Sequence, residues 1–158
     1  MSRAFDAQVV GYAPGAYDLF HVGHLAVLRR AKEQCDVLVA GVVADDVLEQ
    51  TKGARPFVPL AERLDIVRSI DVVDAVHAET TTEKLDAWHD VRFDVLFKGD
   101  DWRGTAKGRR LEADLATVGA QVVYFPYTMH TSSTMLRRAL VARTGDLPVT
   151  ARTAVATG

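Results

Sequence analysis

The sequence has little of what three classes of protein need. Its 158 residues include one cysteine, so the chain cannot form an internal disulfide. No apolar run reaches the roughly 18 residues of a membrane-spanning helix, and the first residues lack the hydrophobic segment of a secretion signal. With 19 basic and 21 acidic residues the formal net charge is −2, which gives no general attraction to nucleic acid or to an anionic membrane. These absences predict a cytoplasmic protein without a nucleic-acid or membrane partner.

Apolar residues make up 48% of the chain, and they fall in runs that alternate between two patterns. Continuous runs such as 37–43 are typical of strands buried on both faces, whereas residues 60–70 repeat apolar positions at the period of a helix. This alternation predicts an α/β fold, a Rossmann-like, doubly wound, five-stranded parallel sheet in a single domain. The predicted strands span residues 9–13, 37–43, 72–77, 94–98 and 120–125. We place the domain at residues 7–144 and expect 145–158 to form a loose C-terminal tail.

The most informative stretch follows the first predicted strand and reads Gly15-Ala16-Tyr17-Asp18-Leu19-Phe20-His21-Val22-Gly23-His24. A strand-to-helix turn presents backbone N–H groups and a helix dipole at the carboxyl edge of a parallel sheet, where anions bind. His21 and His24 can donate hydrogen bonds to a phosphate or carry positive charge toward it, and Gly23 lets a ligand approach the backbone. Two alternatives stay open. One is a helix start with two exposed histidines, and the other is a zinc site, although Cys35 lies at the far end of the helix.

Two further segments follow predicted strands and should meet this turn at one edge of the sheet. Gly99-Asp100-Asp101-Trp102 follows the fourth strand, and Thr128–Thr134 follows the fifth. Hydroxyl groups at a helix start, with free N–H groups beneath them, form an anion site, although an ordinary turn and an ordinary helix cap are the alternatives. A loop at residues 51–59 carries Lys52 and Arg55 and is either a lid or a solvated connector.

These segments resemble a known family. The turn resembles the HxGH signature of the nucleotidylyltransferase superfamily, which the cytidylyltransferase branch writes G-T-F-D-L-x-H-x-G-H. Gly99–Trp102 resembles the G-D-D-W of glycerol-3-phosphate cytidylyltransferases, while Lys98-Gly99 is similar to the K-G-G-D of heptose-phosphate adenylyltransferases. Residues 128–134 resemble the family block R-T-x-G-x-S-T-T. The resemblance covers roughly residues 8–140.

The resemblance implies nucleotidyl transfer, in which an acceptor phosphate attacks the α-phosphorus of a nucleoside triphosphate and pyrophosphate leaves. CTP is the favoured donor, Mg²⁺ the expected cofactor, and glycerol 3-phosphate the leading acceptor, which would give CDP-glycerol. The resemblance also implies that the protein forms a homodimer. Two alternatives remain, an adenylyltransferase that uses ATP on a sugar phosphate or similar acceptor, and a nucleotide-binding module without turnover.

The resemblance also assigns roles to individual residues. The expected catalytic residues are His21, His24 and Lys52. The expected nucleotide-binding residues are Ala13, Gly15, Ala16, Asp18, Gly23, Gly99, Asp101, Thr128, Ser132 and Ser133. Further candidates are Arg63, Asp74, Arg109, Arg110 and Tyr127. No protein metal ligand is assigned, although Asp18 would orient either the loop or the metal.

The glycerol-phosphate enzymes bind phosphates with two arginines, and this sequence has no arginine at either of the corresponding positions. Asp71 and Tyr127 stand there instead, and neither brings positive charge at neutral pH. This absence suggests the module without turnover. The alternative hypothesis is that Arg109 or Arg110 replaces part of the missing charge, unless both are solvated residues on an exposed helix face.

Overall fold

The computed structural model describes residues 7–126 and 132–145. Five strands of this part form one sheet in the order β3-β2-β1-β4-β5, and every neighbouring pair is parallel. The strands are β1 Val10–Gly15, β2 Val37–Val43, β3 Ala75–Glu79, β4 Val95–Gly99 and β5 Gln121–Phe125. The predicted fold class is therefore confirmed.

Helices cover both faces of the sheet. They are α1 Val22–Lys32, α2 Asp45–Lys52, α3 Leu60–Arg68, α4 Lys84–Val91, α5 Ala106–Ala116 and α6 Ser133–Gly145, and a 3₁₀ turn spans Asp100–Trp102. On one face Leu28 of α1 and Val67 of α3 pack in a core that includes Phe97 of β4. On the other face Tyr12 of β1 packs with Leu111 of α5. Burial on both faces explains why β2 is continuously apolar.

Two elements begin three residues away from their predicted start. The third strand begins at Ala75 instead of residue 72, because Asp74 sits at the entry to the sheet, where its N–H donates to the carbonyl of Leu38. The sequence pattern predicts a helix over residues 109–118, but the fifth helix begins at Ala106, because the Thr105 hydroxyl accepts the N–H of Gly108 at 3.1 Å and caps the helix.

The strand order creates a crevice at the carboxyl edge of the sheet. The chain first adds β2 and β3 on one side of β1, then adds β4 and β5 on the other side. Loops leaving β1 and β4 therefore diverge, and ligands of parallel α/β sheets bind at such a point. Within residues 7–126 and 132–145, no helix combines the length and apolar character needed to span a bilayer. The predicted tail, apart from its first residue, lies outside the described residues.

Candidate active site

A crevice of about 630 Å³ lies at this carboxyl edge. It is lined by the turn after β1, the start of α1, the last residue of α2, the ends of β4 and β5, and the first turn of α6. Ten of the predicted site residues line it, namely Gly15, Ala16, His21, Gly23, His24, Lys52, Gly99, Asp101, Ser132 and Ser133. The described parts of the three segments singled out in the sequence therefore meet at one place. Two predicted site residues, Thr128 and Tyr127, lie outside the described residues.

The turn after β1 is tightly constrained. Tyr17 and Leu19 both adopt a φ of 52°, a left-handed conformation that costs a residue with a side chain about 1–3 kcal/mol. The buried Tyr17 hydroxyl donates to the carbonyl of Ala13 at 2.8 Å. Ala13 is itself buried in β1, so it supports the turn from below and does not line the crevice.

Asp18 anchors the same turn from inside the protein. Its fully buried carboxylate accepts the backbone N–H groups of Phe57 and Val58, both at 2.9 Å, and an N–H of Arg137 at 2.8 Å. The side chain thus joins the turn to the loop after α2 and to α6. Of the two roles left open by the sequence, orienting the loop is the one that this geometry performs.

The two histidines present the same ring nitrogen to the crevice. Nδ1 of His21 accepts the N–H of Gly23 at 3.0 Å, and Nδ1 of His24 accepts the N–H of His21 at 3.1 Å. In the neutral form each ring must therefore carry its proton on Nε2. The two Nε2 atoms lie 3.2 and 3.4 Å from the Ser133 hydroxyl, which donates to the carbonyl of Asp18 at 2.8 Å. Two N–H donors consequently converge on one oxygen.

Burial keeps these imidazoles neutral. It lowers the pKa of His24 to about 4, an effect reinforced by the charges of His21 and Lys52 and opposed by Asp18. Burial also lowers the pKa of His21. At neutral pH the pair is therefore available as hydrogen-bond donors, and the alternative in which they carry positive charge is not favoured.

Positive charge in the crevice comes from other residues. Lys52 and Arg137 line it together with Arg30 and Lys98. The pKa of Lys52 is lowered by partial desolvation and by the charge of Arg137. Apart from Lys52, these cations were not among the predicted site residues. Arg137 lies four residues after Ser133 and so on the same face of α6, a spacing that could have identified it.

Arg137 is one of the two described arginines, with Arg30, that line the crevice where the charge of the family arginines would be needed. One of its N–H groups pairs with Asp18, while its buried Nε has no hydrogen-bond partner among the described residues. An unpaired buried donor at the wall of a crevice is costly unless a ligand accepts from it.

Arg63 has a structural role instead of the predicted contact with nucleotide. It is fully buried and donates to the carbonyl oxygens of Ala16, Val43 and Val58 at 2.5, 2.8 and 2.8 Å, and to Asp45 at 2.6 Å. These four hydrogen bonds join segments that surround the crevice. A ligand cannot touch Arg63 without displacing them.

Three further predicted candidates lie away from the crevice. Asp74 stands at the amino edge of the sheet, where its carboxylate accepts from the N–H of Leu38 and from Lys32. Arg109 donates to the carbonyl of Gly104, and Arg110 pairs with Glu83 and Asp114 on the surface. Both arginines are exposed and neither lines the crevice, so their geometry does not support replacement of the missing charge.

The zinc alternative also lacks support. Among the described residues, no group of three or more His, Cys, Asp or Glu side chains is arranged to hold a metal ion. His21 and His24 therefore gain no third ligand from this part of the chain.

The chain is similar to known proteins in sequence and in fold. The sequence pattern of the Cytidylyltransferase-like family matches residues 12–139. The bifunctional protein HldE of Streptomyces coelicolor is 37% identical over 153 residues, which cover 91% of this chain and 30% of that protein. The FAD synthase of Thermococcus sibiricus is 30% identical over 114 residues, 72% of this chain and 77% of that enzyme.

The chain corresponds to only part of the bifunctional relatives, of which it spans 19%, 26% and 30% in three examples. Among solved structures, the lipopolysaccharide core biosynthesis protein of Thermoplasma volcanium superposes with a TM-score of 0.65 at 21% identity, over 78% of this chain and 99% of that one. This likeness supports the fold alone. The family pattern, by contrast, spans most of the chain and runs from β1 into α6. The chain therefore belongs to the cytidylyltransferase-like family.

Proposed function

We propose that the chain transfers a CMP group from CTP to the phosphate of a small alcohol phosphate and releases pyrophosphate, with glycerol 3-phosphate as the leading acceptor. The observation that carries the proposal is the convergence of two imidazole N–H donors, His21 and His24, on the oxygen of Ser133 within a crevice lined by cations. An oxygen of the α-phosphate would be bound by the same pair of donors. The resemblance of Gly99–Trp102 to the glycerol-phosphate enzymes supports the choice of nucleotide and acceptor.

The proposed reaction needs no covalent enzyme intermediate. An oxygen of the acceptor phosphate forms a bond to the α-phosphorus, and the bond between that phosphorus and the pyrophosphate oxygen breaks. His21 and His24 would donate to the α-phosphate as negative charge grows on its oxygens, and a donor of this kind typically contributes about 10²–10³-fold in rate. Lys52 and Arg137 would hold the β- and γ-phosphates, and the polyphosphate would offset the proximity of these two cations.

Mg²⁺ is part of this proposal. Magnesium in proteins is usually held by one or two carboxylates together with substrate phosphates, and the crevice offers the carboxylate of Asp101. This donor set fits an ion that arrives with the triphosphate. Asp101 would help hold it, and the ion would supply additional neutralisation of phosphate charge.

ATP is the second candidate donor. One relative that this chain matches over most of both lengths is an FAD synthase, and FAD contains an adenine nucleotide. Lys98-Gly99 is also similar to the K-G-G-D stretch of heptose-phosphate adenylyltransferases. The module without turnover is less favoured, because it was suggested by missing cations and Arg137 supplies one at the crevice.

The test is a pyrophosphate-release assay with CTP and with ATP, each against a panel of alcohol phosphates and sugar phosphates. We expect the highest kcat/KM with CTP and glycerol 3-phosphate, and no release without acceptor. Preference for ATP would overturn the choice of nucleotide, and preference for another phosphate would overturn the choice of acceptor. Absence of release with every pair would overturn the function. The homodimer also remains a proposal, and light scattering at micromolar concentration would test it.

A further inference from the structure

We infer that Lys98 forms the subsite for the acceptor's phosphate, on the wall of the crevice opposite His21 and His24. This inference rests on the proposed function, because it assigns one of the two anionic substrates of that reaction to a particular lysine. The ligand class is a phosphomonoester of a small alcohol or sugar. Lys98 lines the crevice at the end of β4.

Lys98 reaches the crevice from the opposite face of the sheet to the histidines. Its neighbour Phe97 packs in the core beside α1, and successive side chains of a strand point to opposite faces. Lys98 accordingly lies against Trp102, with its ammonium 4.2 Å from the ring centroid, and Trp102 packs with the core on the α5 side. The crevice thus has a donor-rich wall at α1 and α6 and a second, cationic wall at β4.

Two walls suit a reaction with two anionic substrates. The attacking and leaving oxygens lie roughly in line through the phosphorus that is transferred, so the acceptor approaches from the side away from the pyrophosphate. If the α-phosphate is bound by His21 and His24, and the pyrophosphate lies with Arg137, the β4 wall remains for the acceptor. Lys98 is the lysine that β4 contributes there.

The neighbouring acidic groups do not neutralise Lys98. The buried Glu79 accepts from the Tyr12 hydroxyl at 2.8 Å and pairs with Lys84 at 2.5 Å, so both of its oxygens are engaged. Asp101 is exposed and forms no ion pair with Lys98 in the described structure. Among residues 7–126 and 132–145, Lys98 has no hydrogen bond or ion pair, and its contact is the Trp102 ring. A phosphate would provide the missing counter-charge.

The surroundings also make the charge of Lys98 sensitive to pH. The charged groups that influence it are Lys84, Glu79, Asp101 and Lys52. Burial, followed by the charge of Lys84, lowers the pKa of Lys98 to about 8, while Glu79 and Asp101 oppose the change. A phosphomonoester bound by Lys98 should therefore lose affinity as the pH rises through about 8 and the ammonium deprotonates.

The test compares Lys98→Met and Lys98→Arg with a matched control, Lys107→Met. Lys107 also lies near the Trp102 ring, at 5.9 Å, but it is exposed and does not line the crevice. Calorimetry on nucleotide-free protein would measure binding of glycerol 3-phosphate, a panel of sugar phosphates, and separately CTP. Pyrophosphate release would then give the KM for acceptor and for nucleotide.

We expect Lys98→Met to weaken phosphomonoester binding and raise the acceptor KM by about 10- to 100-fold, with nucleotide affinity within about twofold of the parent protein. Lys98→Arg should retain binding and abolish its loss above pH about 8, because arginine stays charged. Lys107→Met should match the parent. Unchanged acceptor affinity in Lys98→Met, an equal loss of CTP affinity, or a parent protein that binds no member of the panel would each overturn the subsite.

These measurements separate the subsite from the proposed function. Phosphomonoester binding that depends on Lys98, without pyrophosphate release for any pair, would retain the subsite and reject the reaction. Pyrophosphate release with an acceptor KM that Lys98→Met leaves unchanged would retain the reaction and reject the subsite.

Discussion

Arg63→Lys tests whether one buried guanidinium holds the crevice together. Arg63 has no exposed surface, and its four hydrogen bonds reach the turn after β1 at Ala16, the end of β2 at Val43, the loop at Val58, and α2 at Asp45. Lysine keeps the charge but presents its donors from one atom instead of a planar fork. It cannot reach acceptors spread over four segments, and we expect about two of the four bonds to be lost.

The expected cost follows from these contacts. A hydrogen bond to a charged group contributes about 1.5–3 kcal/mol, so the loss of two amounts to about 3–6 kcal/mol. Breaking a buried ion pair costs a similar amount, about 3–5 kcal/mol. We therefore expect Arg63→Lys to lower the free energy of unfolding by about 3–5 kcal/mol, a large share of the 5–15 kcal/mol typical of a domain.

Arg68→Lys is the matched control, because Arg68 lies on the same helix with its side chain 59% exposed, and its ion-pair partner among the described residues is Asp65 on the surface. Such a pair contributes less than about 1 kcal/mol. Urea denaturation followed by circular dichroism would measure both variants, and nucleotide KM should rise in Arg63→Lys because Ala16 lines the crevice. Equal stability of the two variants would refute the assignment of Arg63 as the residue that joins these segments.

Three further predictions concern the crevice. His21→Ala or His24→Ala should lower turnover by about 10²–10³-fold in a folded protein, and near-normal pyrophosphate release would remove that residue from the catalytic role. Because burial depresses the pKa of His24 from 6.5 to about 4, the stability contributed by its neutral form is complete above pH 6.5 and is lost as the pH falls toward 4. Urea titrations between pH 6.5 and 4 would measure the free energy of unfolding, which should fall less steeply with pH in His24→Gln than in the parent protein. Equal slopes in the two proteins would contradict the burial of a neutral ring. Arg137→Met should weaken CTP binding, measured by calorimetry, by about 10- to 100-fold, whereas Arg110→Met should leave it unchanged. The reverse result would support the hypothesis that an arginine of α5 replaces the missing charge.

The fold was predictable because its apolar patterns are strong and local. The run 37–43 coincides with β2, since both faces of that strand are buried and the pattern has no competing interpretation. Prediction was poorer where an apolar residue belongs to the core but not to a strand. Val73 is buried just before β3, so an apolar run that includes it suggests an earlier strand start than the structure has.

The crevice was predictable where residues follow strand ends, and less so elsewhere. Position at the carboxyl edge brought together the segments of His21, Asp101 and Ser132, as expected from the topology of a parallel sheet. Asp74 was misassigned because a sequence motif does not show whether a residue lies before the start of a strand or after its end. Arg137 was missed although it lies four residues after Ser133 on α6, because the sequence does not show its contact with Asp18, 119 residues earlier in the chain. Roles proposed for Thr128 and Tyr127 stay predictions.

The contacts between α6 and the first turn bear on when this protein becomes competent during its synthesis. Ser133 and Arg137 reach Asp18 across 115 and 119 residues of chain. Synthesis proceeds from the amino terminus, and contacts between distant residues form late in folding. A nascent chain that ends after β5 contains all five strands. It still lacks Arg137, which pairs with Asp18, and Ser133, whose hydroxyl lies beside the two imidazoles. The hydrogen bonds that join α6 to the first turn therefore cannot form until residues 133–137 have been synthesised.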